Sequence, residues 1–299
     1  MRFFRSHAAL LFLLPALAGI LIFIIYPIVY SFYISFFDWD MISDKKTFVG
    51  FGRYEHLLGD PKFIQVIVNT VVYMFSMVAV TVALALFLAA WLNKSRLVHN
   101  LAQTAIFTPH IISTISVVLL WMWVMNPDIG LLNYVMEKMG VDRLLALFGI
   151  KKMMWLESRT TALFSFIVIG VWKTLGYNTL VLLAGMQSIP KQIYEGAALD
   201  KASSLMKFYK ITVPLLSPSL FFLLIVNVTS SFQTFESVNV ISKGGPLNST
   251  NMMVHWIYQT GFEFYRISDS SVGSVLLLLI IGLATYSNFR LLSSKVHYQ

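Results

Sequence analysis

Six long apolar runs dominate the pattern of hydrophobic and polar positions along the chain. Each approaches or exceeds the roughly 20 mainly apolar residues that a helix needs to cross the hydrocarbon of a bilayer. They cover about residues 8–34, 63–92, 101–125, 161–186, 215–242 and 271–289. The alternating strands typical of outer-membrane barrels are not found in the sequence. The pattern therefore predicts an all-α integral membrane protein with six transmembrane helices.

Composition agrees with this prediction. Hydrophobic residues make up 57% of the chain and charged residues 12%, whereas soluble domains hold roughly 45–50% and about 25%. So few charges could not cover a soluble fold of 299 residues. The chain contains no cysteine, which excludes a disulfide framework, a thiolate nucleophile and a cysteine metal site.

The first apolar run has two possible interpretations. Arg2 and Arg5 precede it, and Ala-Leu-Ala at residues 16–18 resembles a signal-peptidase site. The run continues past that site to Ile25. An uncleaved first helix is therefore favoured over a cleaved signal peptide.

Charges around the first run predict the orientation. Arg2 and Arg5 stand before it, and the next basic residue is Lys45. Basic residues near the first helix usually remain on the cytoplasmic side. Both termini are therefore expected in the cytoplasm. The formal charge of +8 then reports basic cytoplasmic segments, and nucleic acid is not expected as a partner.

The segment between the fourth and fifth runs, residues 187–218, reads as a helix–turn–helix. Pro190 can open a helix because a first-turn residue needs no amide donor. Ser203 or Ser204 could cap a second short helix that ends before Pro214. A helical pair on the inner face of a membrane protein is typical of a docking element.

The spacing within this segment resembles a known motif. The coupling loop of binding-protein-dependent ABC importer permeases has the pattern E-A-A-x-x-x-G-x(9)-I-x-L-P, which Glu195, Ala197, Ile211 and Pro214 match in register. Other stretches are similar to the carbohydrate and glycerol 3-phosphate branch of that family, the maltose-type permeases. They are residues 48–54, 123–133, 172–178, 187–190, 244–246 and 295–298.

Three positions depart from the motif. Gly196 replaces the first Ala, Val213 replaces the Leu, and Lys201 replaces the Gly, placing a long cation where the family's turn has no side chain. The resemblance implies that this loop couples the chain to an ATPase. The residues expected in that role are Glu195, Gly196, Ala197, Asp200, Lys201, Ile211 and Pro214.

The resemblance also implies a fold, a location and partners. It implies one permease domain over residues 1–299, with the ABC type I importer permease fold, in the bacterial inner membrane. The expected partners are a second permease subunit, homologous and different or identical, together with two cytoplasmic ATPase subunits and an extracytoplasmic solute-binding protein. ATP and Mg would bind on the ATPases, because this chain lacks the G-x-x-x-x-G-K-[ST] phosphate loop. The chain is thus expected to be a transporter subunit without cofactor or catalysis. It would carry a carbohydrate or, as the alternative, glycerol 3-phosphate or a related polyol phosphate.

Lys173 and Glu236 are the two charged residues inside the apolar runs. Ionisable groups within the membrane usually face a cavity or a partner. Snorkelling to the interface is the alternative, above all for Glu236, which lies close to the end of its run. Lys173 lies near the middle of its run and is expected to face the interior of the bundle.

Polar residues also recur at helical spacing on the fourth and fifth runs. Aromatic, small and hydroxyl groups on one face suit sugar stacking and hydrogen bonding, although they also serve helix packing. We expect them to contribute to the substrate pathway together with Lys173 and Glu236. The two stripes are Trp172, Gly176 and Thr179, and Asn227, Ser231 and Thr234.

Two other classes of protein compete with this interpretation. The six histidines are too scattered for a metal site, and no nucleophile–base pairing emerges, which argues against a membrane enzyme. A secondary transporter would explain six helices and buried charges. It would not explain the coupling-loop spacing.

Overall fold

The computed structural model describes residues 12–39, 45–94, 97–142 and 152–292. Both termini, with Arg2, Arg5 and residues 295–298, lie outside the described residues. A short hairpin pairs β1 (Phe37–Asp38) with β2 (Thr47–Phe48). The α-helices of four residues or more are α1 (Phe12–Ile34), α2 (Gly52–Leu58), α3 (Pro61–Leu92), α4 (Leu97–Ile111), α5 (Thr114–Val124), α6 (Leu131–Lys138), α7 (Ala162–Ser188), α8 (Lys191–Leu199), α9 (Ser204–Lys207), α10 (Ser217–Phe232), α11 (Glu236–Ile241), α12 (Met253–Tyr258) and α13 (Ile267–Leu292).

The all-α membrane fold predicted from the apolar runs is confirmed. Among the described residues, α1, α3, α7, α13 and the segment Ser217–Ile241, which holds α10 and α11, are long and apolar enough to cross a bilayer. The predicted third helix is interrupted, because α4 and α5 meet at an angle of 103°. The count reaches six when this bent pair is taken as one span.

The break between α4 and α5 has a local cause. Pro109 lies inside α4 and removes one backbone donor from the helix. Ser113 then takes an extended conformation, with φ −52° and ψ 138°. Both sides of the break are apolar, so hydropathy alone does not reveal it.

Backbone contacts divide the chain into two compact units. One contains the residues up to Ile64 together with Trp256–Leu279. In it, the buried carboxylate of Asp269 lies 2.6 Å from Arg266 and 3.4 Å from Arg53. Two arginines thus compensate the desolvation of this acid.

The second unit contains Gln65–His255 and the described residues from Ile280 onward. Its main apolar cluster joins α3, α7 and α10 and includes Ala85, Ala89, Leu182, Leu183, Met186, Leu216 and Leu223. Short side chains on α3 let the longer ones of α7 and α10 interdigitate, which is how helices pack closely without a hydrophobic driving force in lipid. The segments with the predicted site residues belong to this unit.

Candidate functional site

A cavity of about 430 Å³ lies among α3, α5, α7 and the segment after α10. The side chains of Tyr73 and Phe235 give it aromatic walls. Most of its other polar groups are neutral donors and acceptors. They belong to Thr114, Thr174, Ser230, Gln233, Thr234 and Ser237.

Two charged residues line the same cavity. Lys173, on α7, donates a hydrogen bond of 2.9 Å from Nζ to the carbonyl oxygen of Ile112, at the break that follows α4. A cation there satisfies a carbonyl that the helix leaves free and lies favourably at the negative end of the α4 dipole. Glu236 begins α11, and its side chain is exposed. The structure thus places both predicted intramembrane charges among the residues that line this cavity.

Gly176 lies against α4 and away from the cavity. A Cβ at this position would overlap the carbonyl group of Ile106 and come within 2.7 Å of the Cα of Phe107. Glycine is required here because two helix backbones approach each other closely. In this structure Gly176 serves helix packing, the alternative to substrate contact.

Thr179 and Ser231 are also buried in helix packing, each about 1% exposed. Each hydroxyl donates a hydrogen bond of 2.8 Å to a backbone carbonyl of its own helix, so its polarity is satisfied internally. Trp172 is half-buried and packs edge-on against Trp121, with 5.6 Å between ring centroids, and it does not line the cavity.

Asn227 pairs with Asn178 between α10 and α7. The Nδ2 atom of Asn227 lies 2.6 Å from Oδ1 of Asn178, and Nδ2 of Asn178 lies 3.2 Å from Oδ1 of Asn227. Each amide also donates to a carbonyl one turn back, Leu223 and Thr174 respectively. Both side chains are buried and satisfied, so Asn227 belongs to the helix contact.

The polar residues that line the cavity on this segment lie on the helix face next to the predicted one. Ser230, Thr234 and Ser237 follow the same i, i+4, i+7 spacing as the predicted Asn227, Ser231 and Thr234, and the two sets share Thr234. The same sequence signal could have identified both faces. The choice between them depends on which neighbours each helix packs against and on the break after Phe232, neither of which the spacing shows.

The segment between α7 and α10 forms the predicted helix–turn–helix. Its second helix does not end before Pro214 as predicted, because it continues from α9 through a π-helical turn at Phe208–Thr212 and one α-helical turn at Val213–Leu215. α8 follows Pro190, and the side chain of Ser203 accepts a hydrogen bond of 3.2 Å from the Met206 amide, so Ser203 is the cap. Lys201 keeps the left-handed backbone conformation, with φ +54°, that the family's glycine would adopt freely. Glycine at this position would therefore need no change of φ.

The residues of this loop are largely exposed. Leu199 is 85% exposed and Leu205 69%, and Ile193, Met206 and Tyr209 are exposed as well. Glu195, Gly196, Asp200 and Lys201 are also exposed, whereas Ala197, Ile211 and Pro214 are partly buried. We call residues 191–214 the docking loop. Exposed apolar groups clustered with polar ones are typical of an interaction surface.

No metal site is formed by the part of the chain that the structure describes. In those residues no group of three or more His, Asp or Glu side chains could hold an ion. The features that remain are helices able to span a bilayer, a polar cavity among them and a helical loop outside them. Together they define a membrane transport protein.

The comparisons with known proteins specify the family. Residues 62–298 match the family of binding-protein-dependent transport system inner membrane components, and the chain belongs to this family. It is thus a permease subunit of an ABC importer in the inner membrane, and the ATPase of such importers is a separate subunit.

Two relatives cover almost the whole chain. The sn-glycerol-3-phosphate transport system permease protein UgpA of Pectobacterium atrosepticum is 31% identical, over 96% of this chain and 94% of its own length. The probable ABC transporter permease protein YesP of Bacillus subtilis is 31% identical, over 96% and 91%. A solved bacterial ABC transporter that imports the acidic polysaccharide alginate has the same fold, with a TM-score of 0.80, 23% identity and 96% of both chains covered.

Proposed function

We propose that this chain forms half of the translocation pathway for a carbohydrate that an extracytoplasmic binding protein delivers. The observation that carries the proposal is the cavity beside α7, lined by hydroxyl, amide and aromatic groups. Neutral hydroxyl and amide groups can exchange hydrogen bonds with the hydroxyls of a sugar. Tyr73 and Phe235 offer apolar surface to the faces of its rings.

Glycerol 3-phosphate is the second candidate. Lys173 could bind a phosphate, and the UgpA relative is named for this solute. Glu236 on the same cavity opposes an anion, which favours the neutral carbohydrate. The alginate importer, whose solute is acidic, shares only the fold with this chain.

We further propose that the docking loop binds a cytoplasmic ATPase, which carries ATP and Mg. Leu199 and Leu205 supply the apolar contacts, and Glu195 and Asp200 are the acids available to basic groups of that subunit. A Cβ at Gly196 would meet nothing within 4 Å. The chain itself therefore does not require glycine there, and close approach of the ATPase is the proposed reason for a small residue.

The proposed orientation has both termini and the docking loop in the cytoplasm. Because the chain has no cysteine, single cysteines can report the side of the membrane. We expect cysteine at Lys45, Lys152 or Lys243 to react with an impermeant maleimide added to cells with a permeable outer barrier. Cysteine at Lys201 should stay unlabelled until the inner membrane is opened. Labelling at position 201 but not at position 152 would show that the orientation is opposite to the proposed one.

Transport by the assembled complex tests the solute. The complex with its partner permease, its ATPases and its binding protein would be reconstituted in liposomes. Radiolabelled maltose, maltotriose and glycerol 3-phosphate would be offered separately. ATP-dependent uptake of a sugar supports the carbohydrate. Uptake of glycerol 3-phosphate alone, with a higher half-saturating concentration in Lys173→Leu, supports the second candidate.

A further inference from the structure

We infer that α7 and α10 act as one lever between the docking loop and the cavity, and that Asn178 and Asn227 are the positioning residues that hold this lever in register. The inference rests on the proposed docking of the loop. It gives two buried asparagines a role in transmission, which requires contact with neither the solute nor the ATPase.

The asparagine pair fixes the two helices against sliding. Asn178 is fully buried, Asn227 is 3% exposed, and they exchange two hydrogen bonds, of 2.6 and 3.2 Å. A slide of one helical turn moves a helix by about 5.4 Å. That shift would lengthen both bonds well beyond hydrogen-bond distance and leave two buried amides without their partner.

Tight packing continues from the pair toward the docking loop. A Cβ at Gly185 would come within 2.8 Å of Leu216 Cδ2 and 3.4 Å of Ser219 Cβ. The apolar cluster around Leu182 and Leu223 fills the space between Gly185 and the asparagines. The two helix ends that carry the loop therefore cannot shift independently of the pair.

On the side away from the docking loop, the asparagine pair is connected to residues that line the cavity. The amide of Asn178 donates to the carbonyl oxygen of Thr174 at 2.9 Å, and Thr174 and its neighbour Lys173 line the cavity. Ser230, which also lines it, follows Asn227 by three residues, close to one helical turn. A displacement of the loop would thus reach cavity residues on both helices together.

Two cysteine reporters test the transmission in the whole complex, reconstituted with its partner permease and ATPases. Leu199→Cys reports the loop and Ser230→Cys the cavity, both exposed in a chain without native cysteine. The probe is Mg-ATP with vanadate, without solute. In the otherwise native chain, maleimide reactivity should change at both sites. Asn178→Leu should keep the response at Leu199→Cys and reduce that at Ser230→Cys by about fivefold or more, the lower end of typical allosteric coupling.

A cross-link supplies a second test in the otherwise native chain, for the case that Asn178→Leu does not fold. The cross-link joins Gly185→Cys to Ser219→Cys. A Cβ at position 185 lies 3.4 Å from the Cβ of Ser219, which is near the Cβ separation found in disulfides. If the helices move as one body, the oxidised cross-link should leave the cavity response intact. It should also restore that response to Asn178→Leu, and reduction should abolish the rescue.

Three results would overturn the inference. A full cavity response in folded Asn178→Leu would show that the pair transmits nothing. A cavity response abolished by the oxidised cross-link would show that α7 and α10 must slide. Equal reactivity of the Leu199→Cys reporter with and without the ATPases would contradict the proposed docking and therefore also the inference that rests on it. The first two results would contradict the inference alone.

Discussion

The docking loop and the α7–α10 contact depart from the usual distribution of residues in opposite ways. The loop exposes Leu199 and Leu205, whereas the helix contact buries Asn178 and Asn227. A cluster of exposed apolar side chains usually marks a surface that another molecule covers. A buried polar pair persists where its hydrogen bonds specify one arrangement of neighbours. If the proposed docking holds, one region is completed by a partner, whereas the other is complete within the chain.

The largest expected effect breaks the loop side of this comparison. Leu205→Glu would place a charge where the ATPase is proposed to cover an apolar side chain, and a central contact of this kind costs about 2–4 kcal/mol of binding. That corresponds to an affinity loss of about 30- to 700-fold. Co-purification of the ATPase measures it.

Ile129→Glu is the matched control, because Ile129 is equally apolar, 72% exposed and on a different loop. It should leave the ATPase bound. Retention of the ATPase by Leu205→Glu at the native level would mean that this part of the loop is not covered.

The next effect concerns packing inside the second unit. Gly176→Ala puts a methyl group into the backbone of α4, and overpacking of this kind typically costs about 1–3 kcal/mol. The midpoint of thermal unfolding of the purified complex should fall. Gly282→Ala is the control, since nothing lies within 4 Å of a Cβ there. It should raise the midpoint slightly because alanine favours a helix. Equal midpoints for the two variants would contradict the close approach.

A smaller effect measures the asparagine pair itself. Asn178→Leu and Asn227→Leu each leave the amide of the remaining asparagine without its partner across the helix contact, at a cost of about 1–2 kcal/mol. The double variant leaves no such unpaired amide, so its loss of stability should be less than the sum of the single losses. The expected interaction free energy is about 1 kcal/mol, near the values measured for polar pairs within membranes. Additive losses would show that the pair contributes no specific contact.

The two regions also differ in how well the sequence predicts them. The docking loop was predicted through its helices and its exposed position, because Pro190, Ser203 and the motif spacing are local signals. Lys173 and Glu236 were predicted as candidates because charge in an apolar run is conspicuous. The structure places both on the cavity.

The polar stripes were harder to assign because their spacing fits two adjacent faces of the segment Ser217–Ile241. Only tertiary packing decides that Ser230 lines the cavity while Ser231 is buried. The bend between α4 and α5 escaped prediction for a related reason. A helix break within an apolar run changes direction without changing hydropathy.

The smallest expected effect concerns the turn of the docking loop, where Lys201 has φ +54°. A residue with a Cβ loses about 1–2 kcal/mol in this conformation relative to the right-handed one. Lys201→Gly removes that strain, but it also gives the unfolded chain more conformational freedom. This second effect lowers the free energy of unfolding by about 0.4–1 kcal/mol. The net gain should be about 0.5 kcal/mol, seen as a slightly higher unfolding midpoint. Lys207→Gly is the matched control, a lysine of the same loop at the last residue of α9, where the helix continues into the π-helical turn Phe208–Thr212. It should lose about 1 kcal/mol because glycine disfavours a helix. Opposite signs for two identical replacements would show that the backbone conformation, and not the loss of a positive charge, sets the stability of the turn. A loss for Lys201→Gly would instead mean that the lysine side chain makes a stabilising contact that outweighs its strain.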